Sequence, residues 1–212
     1  MAVEITGGQI MSIPNLEKCR ATLKPFEAIL AEIPRQALQA YQKDRLSKIT
    51  NSGRVKSNNI WGYMIYYARK AFGDNSSFQF IDHYGTVSIV IDGIDHRLLF
   101  RLKKADKRGI SRNIQTKLSD AYHDHDQRYI FPEIDPERIE IVYTLDNLGI
   151  KIDDVRVVAR YGKQIAWSYS IIPKAKVIKS PVTSSIQRTT PDGRVRVRIA
   201  ADLPKVKKKQ GE

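Results

Sequence analysis

A chain of 212 residues with 42 % hydrophobic and 28 % charged residues holds enough apolar material for a packed core, which excludes a wholly disordered protein. A formal charge of +13 excludes an electrically balanced surface, and a single cysteine, Cys19, excludes an internal disulfide. No apolar run approaches the ~20 residues that cross a bilayer, and residues 1–10 lack a basic start followed by an apolar stretch, so the expected setting is the cytoplasm of a bacterium or phage-infected cell, with no membrane partner.

Asn15 is placed to cap a helix starting at Leu16, with Lys18 where a capping box has Glu or Gln. Leu16, Cys19, Leu23 and then Phe26 or Leu30 recur at helical spacing, and Pro25 limits or kinks the element. Pro34 suits the first turn of a second helix running through about Ile49, with Leu38, Tyr41, Leu46 and Ile49 as its apolar contacts. The polar stretch 50–59 reads as a loop through Asn51, Ser52 and Gly53, made locally basic by Arg54 and Lys56. A third helix is predicted over 59–72. Ile60, Tyr63 or Met64, Tyr67 and Ala71 line one face, while Trp61, Ile65 and Tyr66 make it apolar nearly all round and so central to the core. Gly73 is placed to end it.

Beyond Gly73 the period changes from helical to alternating. Strands are predicted over 78–83, 86–92 and 97–103, with Asp92-Gly93 as a hairpin signal. In the third, Leu98, Phe100 and Leu102 face one way, and Arg97, Arg101 and Lys103 face the other with Leu99. Ser111 is placed to cap a helix over 112–127 with Ile114, Leu118, Ala121 or Tyr122 and His125 as its buried stripe. Pro132 and Pro136 mark a loop. Strands follow over 138–145 and 155–161, and Gly162-Lys163 turns the chain into a last one over 164–172, carrying Trp167 and Tyr169. The fold class is therefore α+β: N-terminal helices, an antiparallel sheet of two meanders separated by a helix, and a basic C-terminal extension. One globular domain is expected over 1–172, helical over 15–72 and sheet-rich over 78–172. Residues 173–212 form the extension, expected to be partly disordered.

The positive charge is sorted along the chain. Residues 101–117 hold seven basic side chains against Asp106 alone, a net +6, and residues 174–212 hold eleven against Asp192, Asp202 and Glu212, a net +8. Everything else nets −1, because 13 − 14 = −1. Such segregation points to a polyanionic partner, with nucleic acid ahead of an acidic protein or a merely solvated surface, and DNA ahead of RNA. The candidate nucleic-acid-binding residues in the first segment are Arg101, Lys103, Lys104, Lys107, Arg108, Arg112, Asn113 and Lys117. Lysine and arginine there would position a backbone, and Arg112, Asn113 or Gln115 would reach base edges. The competing explanation is a charged edge strand protected against aggregation. In the second segment Arg194, Arg196 and Arg198 alternate with Val195, Val197 and Ile199, so a strand would put all three arginines on one face, and Lys207, Lys208 and Lys209 would add sequence-independent affinity.

Residues 98–171 carry a resemblance. Phe100-Arg101-Leu102-Lys103-Lys104, then Asn113 and Thr116 in "RNIQTK", the strand "IVYTLDNLGIKIDDVRV" and Trp167 resemble a family of uncharacterised bacterial and phage proteins found beside helix-turn-helix regulators in mobile elements. The resemblance covers about a third of the chain. The chain departs from the family's pattern in an arginine near the paired lysines and in the long basic extension. What it implies is a setting in regulation, toxin–antitoxin function or anti-phage defence, and it brings no activity. A protein partner encoded alongside and self-association into a homodimer stay open.

Catalytic chemistry has less support. In His123-Asp124-His125-Asp126, with Asp120 upstream, residues two apart on a helix point about 200° apart, so only pairs such as Asp120 with Asp124 share a face, and no metal site is expected. A helix, a three-strand meander and another helix follow the order of the restriction-endonuclease core. There a nuclease would need Glu-x-Lys or Asp-x-Lys on the third strand, and this chain has Arg101-Leu102-Lys103. A toxin or nuclease-like effector with an associated regulator is thus the alternative to a non-enzymatic binder. Phosphate-cradling glycine motifs, H-E-x-x-H and G-x-S-x-G are all missing from the sequence, and no cofactor is expected. Cys19 and the aromatics Trp61, Tyr63, Tyr66 and Tyr67 read as core.

Overall fold

A computed structural model describes residues 13–49, 52–83, 85–93, 96–111, 116–125 and 136–172. Arg112, Asn113 and the expected strand and tail residues Arg194, Arg196, Arg198, Lys207, Lys208 and Lys209 lie outside them.

Helix α1 (Leu16–Leu23) starts where Asn15 predicts, and the Asn15 side chain accepts a hydrogen bond from the Lys18 backbone N–H at 3.0 Å. Pro25 sits in a single 3-10 turn, Lys24–Phe26, and α2 (Glu27–Lys43) follows directly. Pro34 therefore lies inside α2 and not in the first turn of a new helix. Leu30, Ala31, Ile33, Ala37, Leu38 and Tyr41 are all buried around it, and that continuous apolar stripe offsets the backbone hydrogen bond a proline removes. After the short α3 (Leu46–Ile49), α4 (Gly53–Phe72) begins six residues before the predicted start, inside the polar stretch expected to be a loop. Residues 53–59 are exposed or half-buried, so their polarity is compatible with a solvated first turn. The Lys56 ammonium also donates to the Gly149 carbonyl at 2.8 Å, which ties that turn to the distant 146–151 turn.

Six strands form one sheet in chain order: β1 (Phe78–His83), β2 (Thr86–Asp92), β3 (Arg97–Lys104), β4 (Glu137–Leu145), β5 (Ile152–Tyr161) and β6 (Gln164–Ser170). The chain is α+β as expected, and each meander, β1–β3 and β4–β6, is antiparallel. Where they join, β3 and β4 run parallel, with Phe100 opposite Ile139 and Arg101 opposite Glu140. The sheet is thus mixed and not wholly antiparallel. A parallel pair requires a crossover connection, and the segment holding α5 (Lys117–His123) provides it. Helix α5 starts at Lys117, where the Thr116 hydroxyl accepts from the Ser119 backbone N–H at 3.1 Å, and not at residue 112. Ser111, the expected cap, instead forms a β-bridge with Ala105 and turns its hydroxyl to Glu140.

The two faces of the sheet differ. On one, Ile89, Ile91, Leu98, Phe100, Leu102, Ile139, Ile141, Tyr143, Val155, Val157 and Ala159 meet α1, α2 and α4 in the main core. On the other, Tyr122 of α5 packs on Val90 and Leu99 and donates to the carbonyls of Leu99 and Ile139, while Ala105, Val142 and Val158 form a second small cluster. The helical face is sealed where Phe72 stacks on Phe78 with centroids 4.2 Å apart and Phe26 closes edge-on over both rings. Phe72→Ala would remove a fully buried ring and leave a cavity. The expected loss is about 3–5 kcal/mol of unfolding free energy, read from the denaturant midpoint at unchanged m-value.

A candidate anion-binding pocket beside α5

Strand alternation sends Arg101 and Lys103 to the α5 side of the sheet together with Arg138, Glu140, Arg156 and Arg160. Glu140 is almost completely buried, at 1 % exposure. The Ser111 hydroxyl donates to its carboxylate, 2.8 and 2.9 Å from the two oxygens. Arg160 Nη1 donates to Ser111 Oγ at 2.9 Å and stands 3.5 Å from Glu140 Oε2. His123 Nε2 lies 3.6 Å from Glu140 Oε1. Arg160 Nη2 donates to the Gly162 carbonyl at 3.0 Å, and His125 Nε2 lies 2.8 Å from the carbonyl of Arg160. One strand over, Arg101 Nε donates to Ser88 Oγ at 3.0 Å with its guanidinium 3.9 Å above the Tyr122 ring, and Arg138 Nη1 donates to the Ala121 carbonyl at 2.7 Å.

This is a cation-rich interior. Arg101, Arg138 and Arg160 are all buried and Lys103 is half-buried, and the described carboxylates on this face are Glu140 and Asp154, the second paired with Arg156 at 2.6 Å. Burial pushes the Glu140 carboxyl up, and Ser111, Arg160 and Lys103 pull it back down. Burial, followed by the charge of Arg101, lowers Lys103. The same desolvation, followed by repulsion from Arg160 and Arg101, lowers the His123 imidazole to about 3, so it is neutral at physiological pH.

A cavity of about 710 Å³ opens beside this network. Buried Ser111 and Arg160 line it from the sheet side, Lys117, Ser119, Asp120, buried His123 and Asp124 from α5 and its end, and Gly162 and Lys163 from the β5–β6 turn. Gly162 has φ of 55°, a left-handed conformation that suits a two-residue hairpin turn, and its N–H donates to the His123 carbonyl at 3.0 Å. The turn is thereby fastened to the end of α5.

The basic residues predicted as one face are divided between two. Arg101 is buried under Tyr122 and Lys103 is half-buried, both on the α5 side. Lys104 points to the opposite face, its Nζ 3.5 Å from Ser57 Oγ of α4. Lys107 and Arg108 are exposed in the turn after β3, where Lys107 Nζ donates to Asn147 Oδ1 at 2.6 Å. Lys117 is exposed on the rim of the cavity. The sequence reading missed Ser111 as a network member, and Glu140 and Arg160 altogether. Their signal is a charged residue inside an otherwise apolar strand, in "RIEIV" and "VVARY", which calls for a buried partner. Among the described residues no group of three His, Cys, Asp or Glu side chains is gathered to hold a metal ion. Cys19 is fully buried and its thiol donates to Glu137 at 3.1 Å, and burial with that contact pushes its pKa far up, so it is no nucleophile.

Because the folded-state pKa of His123 lies below its unfolded value, the unfolded chain takes up the proton first as pH falls. The stability associated with neutral His123 is present above about pH 6.5 and is lost progressively down to about pH 3. Between pH 7 and pH 5 this amounts to about 2 kcal/mol. His123→Gln, which cannot titrate there, should show a correspondingly smaller fall in urea-unfolding free energy over that interval, and an equal fall would show that His123 is not held neutral.

Comparison with known protein families, with curated proteins and with solved structures finds no match to this chain, so the reading of the pocket rests on its own geometry.

Proposed function

We propose that the protein binds nucleic acid through the α5 side of its sheet and its basic C-terminal segment, without cutting it. The observation that carries the reading is the sorting of charge on that side. Among the described residues, buried Arg101, Arg138 and Arg160 and half-buried Lys103 share this side with the buried carboxylate of Glu140, Asp154 is taken up by Arg156, and exposed Lys107, Arg108, Lys117 and Lys163 stand in the loops and helix with Asp120 and Asp124. The segment carrying Lys107 and Arg108 belongs to this side, because Gly109 lies against Arg156 and Ile165 and Ser111 bonds to Glu140 and Arg160. Cations gathered on one side set up a field that draws a polyanion, and exposed lysines and arginines neutralise phosphates at low cost in desolvation. The 174–212 segment, with its net +8, would add phosphate contacts of its own. Regulation or defence on a mobile element, the setting implied by the resemblance, is compatible with such a binder.

A nuclease-like effector is the second reading, favoured by the helix, meander and helix order that the chain keeps. The chemistry of the sheet weighs against it. The fully buried acid on this side is Glu140, its oxygens face Ser111, Arg160 and His123, and Arg101 lies opposite it in register. A divalent cation would meet guanidinium groups there.

Lys107→Ala combined with Arg108→Ala, both at exposed positions, should weaken binding to duplex DNA across sequences and leave thermal stability unchanged. The slope of log affinity against log salt should become shallower by about 0.9 for each phosphate that is no longer neutralised. Removing residues 174–212 should weaken binding further while the core melts as before. Unchanged affinity in both variants would sink the reading. Incubation of the full chain with DNA or RNA and Mg²⁺ or Mn²⁺ is expected to yield no fragments, and specific cleavage would favour the effector reading instead.

A further inference from the structure

We propose that the cavity beside α5 is a subsite for the phosphate monoester of a nucleotide. This rests on the nucleic-acid reading and narrows it to one contact: a phosphorylated strand end enters the cavity, and a free nucleoside monophosphate carries the same group.

Arg160 is the anchor. It is 8 % exposed, lines the cavity and is held in place through Ser111 and the Gly162 carbonyl, and its Nη2 carries a second N–H beyond the one given to Gly162. A phosphate oxygen at the cavity-lining part of this guanidinium would form a charge-assisted hydrogen bond. Lys117 from α5 and Lys163 from the β5–β6 turn approach the same cavity as exposed cations, and the Ser119 hydroxyl adds a neutral donor. Behind Arg160 stand Glu140, which pairs with it, and Lys103 on the neighbouring strand. The dianionic charge of a monoester draws more strongly on Arg160, Lys117 and Lys163 together than the single charge of a backbone diester does.

Asp120 and Asp124 line the cavity too. They would repel a phosphate and accept hydrogen bonds from hydroxyl or amino groups. A nucleotide has both kinds of chemistry, an anion at one end and sugar and base donors at the other, whereas inorganic phosphate has only the first. The volume of about 710 Å³ lies within the ~300–1,000 Å³ of cavities that enclose small organic ligands.

The test uses the full chain and one short single-stranded oligonucleotide prepared with a 5′-phosphate, with a 3′-phosphate and with neither. In parallel, the melting temperature is followed with a nucleoside 5′-monophosphate and with the matching nucleoside. One phosphorylated strand should bind roughly tenfold more tightly than the unphosphorylated one, the scale of a charge-assisted contact. That preference should vanish in Arg160→Lys and in Lys163→Ala, the latter an exposed turn position whose loss leaves the fold intact. If the monophosphate raises the melting temperature in the wild type but not in Lys163→Ala, and strands show no end preference, the phosphate site stands and its source is the free nucleotide. If strands bind but neither phosphorylated ends nor the monophosphate is distinguished from its phosphate-free counterpart, the subsite is wrong and the nucleic-acid reading survives. A preference that persists in Lys163→Ala would overturn the subsite in the same way. If no strand binds while the monophosphate stabilises, the nucleic-acid reading falls and the subsite remains.

Discussion

Two neighbouring strands that run the same way cannot be joined by a tight turn, and β3 and β4 are such a pair. The chain between them has to travel back along the sheet, and its described helix, α5, lies on the face opposite α1, α2 and α4 and seats Tyr122 on Val90 and Leu99. The parallel register also sets Arg101 beside Glu140. The crossover thus sets α5 beside the cavity and brings the charges of β3 and β4 together beneath it.

The polar row on that face runs between two apolar clusters. Leu99 and Tyr122 lie on one side of Arg101 and Glu140, and Ala105, Val142 and Val158 on the other. Replacing a buried ion pair with well-packed hydrophobic side chains is often neutral or stabilising, so stability alone is a weak reason for such a row. Under the proposed reading, the charges of Arg160 and Lys103 would be balanced from inside by Glu140 and from outside by a ligand.

Strand alternation was legible from sequence because a period of two is written directly into residue types. Leu98, Phe100 and Leu102 against Arg101 and Lys103 identified both faces of β3, and Asn15 located the start of α1. Boundaries failed where tertiary packing overrode local preference. Pro34 lies within α2 because the buried stripe from Leu30 to Tyr41 continues through it, and α4 begins at Gly53 because its first turn can be polar when it faces solvent. The mixed sheet was not legible, since each meander reads as antiparallel alone and nothing local states how the two meet. The site was half legible for the same reason. Lys107, Arg108 and Lys117 announce themselves as a basic run, but the same run hides that Lys104 leaves for the helical face. The network of Ser111, Glu140, His123 and Arg160 joins four separate segments, spanning residues 111 to 160, that only the crossover brings together.

Preorganisation decides whether such a network can act as an anion site. A flexible arginine on a surface loses rotamer freedom when it binds, and that loss consumes much of the interaction. Arg160 has already lost it: one end of its guanidinium is fixed on Ser111, the other on the Gly162 carbonyl, and its own backbone carbonyl meets His125. The Gly162 N–H donates to the His123 carbonyl, so the β5–β6 turn, which presents Lys163, is tied to the end of α5. Keeping His123 uncharged matters in the same way, because a second buried cation at that point would strain the pairing of Glu140 with Arg160. Under the proposed reading, an incoming anion would find its donors already oriented, and the chief remaining cost would be its own desolvation.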